Sequence, residues 1–220
     1  MSRDVTVALA AIPNTGKTTL FNRLTGSNQS VGNWPGVSIQ KATGHFTLGE
    51  FDVELVDLPG AYSISPTSEE ERIVLDFFLS SPPDVILNVL DARNLYRGLG
   101  FTLQMSGSGL PLVVAVNMMD EARRAGVDLD LDILAEHLGC TVVPTVGRTG
   151  EGLPRLKEAI YEALRLPKGR PPHISQPPVV EAAVADLSRA IERNKTSNGL
   201  DESFLALRAL EGDPTFDEHP

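Results

Sequence analysis

The sequence predicts an α/β fold: a mostly parallel six-stranded sheet with helices on both faces, occupying residues 1–166. Three observations support this. Strand-like and helix-like stretches alternate through those residues, the pattern of a parallel sheet covered on both sides. A glycine- and lysine-containing turn joins the first strand to the first helix. Beyond residue 166 the alternation stops, where five of the 16 prolines (Pro167, Pro171, Pro172, Pro177, Pro178) fall within twelve residues.

In chain order, the first strand is read at Val5–Ala11 and the first helix at Lys17–Leu24. Gly44–Leu48 is read as a strand antiparallel to Val53–Val56 across a turn at Gly49–Asp52. A helix at Glu69–Leu79 follows Ser68, and its opening Glu69-Glu70-Glu71 favours a helix N-terminus over a metal site. Further strands lie at Val85–Leu90, Leu112–Val116 and Thr141–Val143, alternating with helices at Leu95–Met105, Leu131–Leu138 and Leu153–Leu166. The proline cluster over 167–178 reads as a linker. After it, Val180, Val184, Leu187 and Ile191 recur at helical spacing, and Phe204, Leu207 and Leu210 repeat the stripe in a second short helix within 179–220. Two such helices cannot bury both apolar faces against each other alone, so they must dock on the main domain, on a partner chain or on further sequence.

Composition narrows the function. With 19 Lys+Arg against 29 Asp+Glu the net charge is −10, which argues against nucleic acid as the main partner. No apolar run approaches the roughly 20 residues of a membrane-spanning helix, and no secretory signal is apparent, so a cytoplasmic location is expected. Cys140 is the only cysteine, which excludes an internal disulfide; it reads as a small buried hydrophobe.

The turn after the first strand is Ala11-Ile12-Pro13-Asn14-Thr15-Gly16-Lys17-Thr18, opening a helix at Thr19. This is Walker A spacing with Ala in place of the first Gly. Backbone N–H groups of such a turn surround a β-phosphate, Lys17 neutralises β/γ oxygens, and the Thr18 hydroxyl suits Mg²⁺. The base is read elsewhere, at Asn117-Met118-Met119-Asp120, which ends a strand where open α/β sheets bind ligands. Asp120 can accept both N1–H and the 2-amino group of guanine; Asn117 suits N7 and a tie to the phosphate loop. In Asp57-Leu58-Pro59-Gly60, Asp57 would hold a Mg²⁺-bound water and the Gly60 N–H would meet the γ-phosphate. Ala61 and Tyr62 follow, with no Gln to orient water, so slow intrinsic GTP hydrolysis is expected.

These residues, with Gly32-Asn33-Trp34-Pro35-Gly36-Val37 and Asn88-Val89-x-Asp91-Ala92-x-Asn94-Leu95, resemble one family over residues 5–166. That family is the cytosolic G domain of FeoB, the prokaryotic ferrous iron transporter, a P-loop GTPase. The resemblance implies that Lys17 binds β/γ-phosphates and that Thr18 and Ser38 ligate Mg²⁺. It further implies that Asn14 and the carbonyls of Gly32 and Trp34 hold a K⁺, whose charge replaces an arginine finger. Asn14, Lys17, Ser38 and Gly60 are thus the candidate catalytic groups. The nucleotide site takes in Ala11, Pro13, Asn14, Thr15, Gly16, Lys17, Thr18, Thr19, Asp57, Gly60, Asn117, Met118, Asp120, Val146, Gly147 and Arg148.

Three positions depart from the family. Ile12 stands where Asn is usual, and Ser38 replaces Thr. Val146-Gly147-Arg148 replaces Ser-Ala-(Arg/Lys) in the last base-contacting loop, leaving the Gly147 N–H for guanine O6 but removing the serine hydroxyl. A weaker guanine grip and fast GDP release are expected. The family also implies a switch on the cytoplasmic face of the membrane, coupled to a membrane domain absent from this chain. Residues 179–220 would then be the beginning of a helical regulatory subdomain, with association through its exposed stripes.

Two other readings compete. An Era-like RNA-associated GTPase shares the Pro-Asn-x-Gly-Lys loop but predicts a basic tail, whereas residues 167–220 carry 6 Lys+Arg and 9 Asp+Glu. A nucleotide-binding interaction module with little hydrolysis would suit the altered Val146-Gly147 loop.

Overall fold

In the computed structural model, residues 2–26, 29–165, 176–194 and 197–212 are described. The strands are β1 (Arg3–Ala11), β2 (Gln29–Asn33), β3 (Gln40–Leu48), β4 (Phe51–Asp57), β5 (Val85–Asp91), β6 (Leu112–Asn117) and β7 (Thr141–Pro144). The helices are α1 (Lys17–Thr25), α2 (Glu69–Ser80), α3 (Leu95–Ser106), α4 (Met119–Arg124), α5 (Leu131–Leu138), α6 (Leu153–Arg165), α7 (Pro178–Asn194) and α8 (Glu202–Leu210).

The strands form one sheet in the order β2-β3-β4-β1-β5-β6-β7. It has seven strands rather than the expected six. The extra one, β2, pairs antiparallel with β3 at the edge and is exposed along its whole length. The predicted β3–β4 hairpin is present, turning at Gly49, whose φ of 60° suits glycine. Every other pairing is parallel. Because side chains alternate along a strand, β1 supplies two cores. Val5, Val7, Leu9 and Ala11 pack with Leu20, Phe21 and Leu24 of α1 and Leu156 and Ile160 of α6. Ala8 and Ala10 face the opposite layer, with Val74 and Phe78 of α2 and Phe101 and Met105 of α3.

Parallel alignment gathers the carboxyl ends of β1, β4, β5 and β6 at one edge, where the loops carrying the motifs emerge. Ser68 caps α2 by accepting the Glu71 N–H at 3.2 Å, and the Glu71 carboxylate accepts from the Thr67 N–H at 2.9 Å and its hydroxyl at 2.7 Å. Glu71 thereby satisfies the helix start. Burial pushes the Cys140 thiol up to about 12, which suits a packing role.

The expected linker lies outside the described residues up to 175. Beyond it the two helices behave differently. Leu200, Phe204 and Leu205 are buried in the α2–α3 layer, and the Asp201 N–H donates to the Ser108 carbonyl at 2.8 Å. Of the docking surfaces open to these helices, α8 takes the main domain, so the stripe carrying Phe204 is buried there rather than exposed for association. α7 buries no residue fully, and Val179 is 77% exposed. Among the described residues, no helix is long and apolar enough to cross a membrane.

Candidate nucleotide-binding site

The chain leaves β1 at Ala11 and enters α1 at Lys17 through a turn with two residues at positive φ. Gly16 has φ 82°, and a Cβ there would lie 2.4 Å from Asn117 Nδ2, so left-handed backbone and close approach both require glycine. Asn14 also has positive φ, 69°, a conformation that Asn tolerates better than most residues. Thr15 is buried and its hydroxyl donates to the Ile12 carbonyl at 3.3 Å. No side chain caps α1, so its first N–H groups point into the turn as an anion site. Thr18 and Thr19 are exposed on the first turn of that helix.

Asp57 ends β4, beside Leu9 of β1. Its carboxylate pairs with the Lys17 ammonium, which also donates to the Leu58 carbonyl at 2.8 Å. Burial pushes the Asp57 carboxyl up, and the attraction of Lys17 opposes it. The segment after Asp57 is held to β1 by the Leu58 N–H on the Leu9 carbonyl and the Ala61 N–H on the Ala11 carbonyl, at 3.0 and 3.1 Å. Gly60 lies against the phosphate loop, where a Cβ would come 3.2 Å from Pro13 Cγ.

Beyond Ala61, side chains supply the restraints. Arg97 of α3 donates to the Tyr62 hydroxyl at 3.0 Å and lies over its ring. Gln104 Oε1 accepts the Ile64 N–H at 2.9 Å. From α8, the Arg208 guanidinium reaches the Ser65 hydroxyl.

The base-reading end converges on Asn117, 2% exposed at the tip of β6. Its Nδ2 donates to the Thr15 carbonyl at 2.9 Å, while its Oδ1 accepts the Gly147 N–H at 2.9 Å and the Thr145 hydroxyl at 3.3 Å. One amide thus staples the phosphate loop to the last loop, as its position suggested. The Gly147 N–H, expected to meet guanine O6, is engaged with Asn117 instead. Met118, at φ 64°, turns the chain into α4 and places Asp120 in its first turn. Arg148 and Arg124 donate to Asp120 Oδ2 at 3.1 and 2.9 Å, and these bonds, Arg148's first, hold the carboxyl below its ordinary value. In place of the missing serine, Val146 is buried at 2% and its N–H donates to the Glu151 carbonyl at 3.0 Å.

The remaining candidates are not assembled with these. Ser38 is exposed on the segment between β2 and β3. Gly32 sits on β2, three strands from β1, about 14 Å at the usual inter-strand spacing. Trp34 is buried at 7%, edge-on to Phe77 at 5.8 Å with the Lys41 ammonium 4.9 Å from its ring centroid. Asn14 instead borders a cavity of about 260 Å³ that it shares with Asp91, Arg93, Asn94 and Arg97. The sequence reading placed Arg148 in this loop but not its bond to Asp120, 28 residues away, and it missed Arg124 and Arg23. Arg124, four residues after Asp120 on a helix, had a readable signal; Arg23 acts over 124–125 residues and had none.

Comparison with known proteins places this geometry. The family described as "Ferrous iron transport protein B" matches residues 5–160. The Fe(2+) transport protein A/Fe(2+) transporter FeoB fusion protein of Porphyromonas gingivalis is 41% identical over 214 residues, covering 95% of this chain and 25% of that protein. The chain spans about a quarter of the length of the curated relatives it matches. Among solved structures, the cytosolic domain of the T. maritima FeoB iron transporter in apo form superposes with a TM-score of 0.89 at 36% identity, covering 98% of this chain and 84% of that one. The same domain in its GMPPNP form gives 0.88 at 37%, covering 97% and 84%.

Proposed function

The chain belongs to the ferrous iron transport protein B family, and on that premise we propose that it is a guanine-nucleotide switch that hydrolyses GTP slowly and couples this cycle to Fe²⁺ uptake by a membrane domain. In this reading residues 1–166 form the G domain, 167–178 a linker and 179–220 part of a helical regulatory subdomain. The observation that carries the reading is the Asn117 staple, which sets the base-reading Asp120 and the phosphate loop at one fixed relation.

Each group then has a task. Lys17 leaves Asp57 and Leu58 for β/γ-phosphate oxygens, and the N–H groups of residues 14–18 surround the β-phosphate. Asp120 accepts from the guanine edge, beside Asn117, Met118, Val146, Gly147 and Arg148. The Gly60 N–H meets the γ-phosphate. Asp57, Thr18 and Ser38 offer hard oxygen donors that fit Mg²⁺, Asp57 through water. When bound, that ion neutralises charge on the phosphates. Asp57 ends β4 and Thr18 lies in the helix after β1; Ser38 is exposed on the segment between β2 and β3. Potassium stimulation belongs to the same proposal. Asn14 is the side-chain donor, while Gly32 and Trp34 do not fit the ion until β2 leaves β3.

The two residues after Gly60 supply no general base: Ala61 is apolar and buried, and Tyr62 is engaged by Arg97. Turnover is therefore slow. The test is phosphate release from GTP with Mg²⁺, in potassium and then in sodium. Faster release in potassium is expected; release indistinguishable from buffer in both salts refutes the hydrolytic reading, and equal release in both refutes the potassium role.

A further inference from the structure

Resting on the guanine-nucleotide reading, we infer that Arg23, which belongs to none of the nucleotide motifs, is a positioning residue that holds the last base-contacting loop and sets the rate of GDP release. Its Nε donates to the Gly147 carbonyl at 3.2 Å and its Nη2 to the Arg148 carbonyl at 2.5 Å. An arginine in the last turn of a helix ordinarily serves that helix's own carbonyls. Arg23 instead spans to a loop 124 and 125 residues away and grips two successive peptide units.

The loop needs such a grip. Val146 leaves the loop without the serine hydroxyl usual in the family, and Gly147 gives the backbone its widest freedom. α1 answers on both counts. A Cβ on Gly147 would lie 3.3 Å from Thr19 Cγ2 and 3.4 Å from Leu20 Cδ2, so the loop backbone rests directly on the helix. Arg23, one turn further along α1, fixes the next two carbonyls. That fork holds the far side of a loop whose near side is tied by the Gly147 N–H to Asn117 Oδ1, and the Arg148 side chain between them reaches Asp120. Lys17 begins the helix that Arg23 nearly ends, so α1 acts as a ruler between the phosphate and base subsites.

The experiment is stopped-flow release of a fluorescent ribose-labelled GDP, with pyrophosphate affinity measured by competition. Arg23→Ala should speed release about fivefold, the scale of one net hydrogen bond. Arg23→Lys, which keeps the charge but not the fork, should fall between. Pyrophosphate affinity should not change, because that ligand touches only the phosphate loop; a general loosening of the fold would weaken both ligands. Arg23→Ala releasing GDP at the wild-type rate, or losing GDP and pyrophosphate in equal proportion, overturns the inference. A wild-type protein that shows no binding of labelled GDP at any concentration, while it still binds pyrophosphate, overturns the guanine-nucleotide reading itself, and this inference with it.

Discussion

The base-reading end and the switch end of the candidate site share one edge of the sheet but are built from different materials. At the base end, Thr15, Asn117 and Val146 are at least 98% buried, and their polar groups bond to backbone across three loops. At the switch end, every residue of β2 is exposed, as is Ser38, and Tyr62 is 50% exposed. Outside the β2–β3 ladder and the Leu58 and Ala61 bonds to β1, what holds this end are side-chain contacts: Trp34 on Phe77, Arg97 on Tyr62, Gln104 on Ile64 and Arg208 on Ser65. A groove held by buried bonds from one amide side chain to backbone is preformed, because breaking one strands an unpaired polar group in the interior. Side-chain restraints on an exposed segment are individually weak, so a ligand worth a few kcal/mol can replace them.

The sharpest way to break the base end is Asn117→Ala. It leaves the Thr15 carbonyl, the Gly147 N–H and the Thr145 hydroxyl without their shared partner. At about 1–3 kcal/mol for each buried group left unpaired, labelled-GDP affinity should fall at least about 100-fold. The melting temperature should fall with it. Affinity within a few-fold of wild type would show that the base end is less pre-organised than its bonds suggest.

The switch end has a built-in reporter, since Trp34 is the only tryptophan in the sequence. Its indole N–H is buried without a partner among the described residues, a feature that disfavours the docked position relative to one in which water satisfies it. Emission should be that of a buried indole in the nucleotide-free protein, and should move to the red, with greater acrylamide quenching, on adding GMPPNP and Mg²⁺. An unchanged spectrum would mean that Trp34 stays against Phe77 and that β2 does not release.

How much of this was legible depended on whether the cause was local. α5 matched its predicted bounds, and the other predicted helices differ by a residue or two at their ends, because apolar spacing and caps lie within each segment. β2 left no trace: Gln29-Ser30-Val31-Gly32-Asn33 shows no apolar alternation and becomes a strand only by pairing with β3. α4 was hidden inside the Asn-x-x-Asp motif, although Asp120 and Glu121 ahead of Arg123 and Arg124 complement a helix dipole. The stripe on residues 204–210 indicated a helix but not where it would dock; that depended on the surface formed by α2 and α3. Site residues within motifs were readable, whereas the partners that satisfy them come from distant sequence.

A smaller effect separates the two ends by protection alone. Tyr62→Phe removes the hydroxyl that accepts from Arg97 but keeps the ring under the guanidinium, so global stability should change by less than about 1 kcal/mol. Hydrogen exchange should quicken over residues 60–66 and stay constant over 112–117. Equal quickening in both would show that the switch segment and the central sheet open as one unit.

The smallest expected effect contrasts one carboxylate from each end by pH. Asp120 is held below the ordinary value of about 3.9 by Arg148 and Arg124. Its favourable contribution is therefore present above the unfolded value and is lost as pH falls through the folded one. Asp57 is raised by burial against the pull of Lys17, so the sign reverses: its contribution is present below the unfolded value and lost as pH rises through the folded one. Carboxyl-carbon NMR titration should find Asp120 below and Asp57 above the ordinary position. Arg148→Ala should move Asp120 upward, leaving it still depressed by Arg124, and should not move Asp57. A shift of both would mean that the two ends of the site are electrostatically coupled through the phosphate loop, and that the bonds of Asn117 do not insulate one from the other.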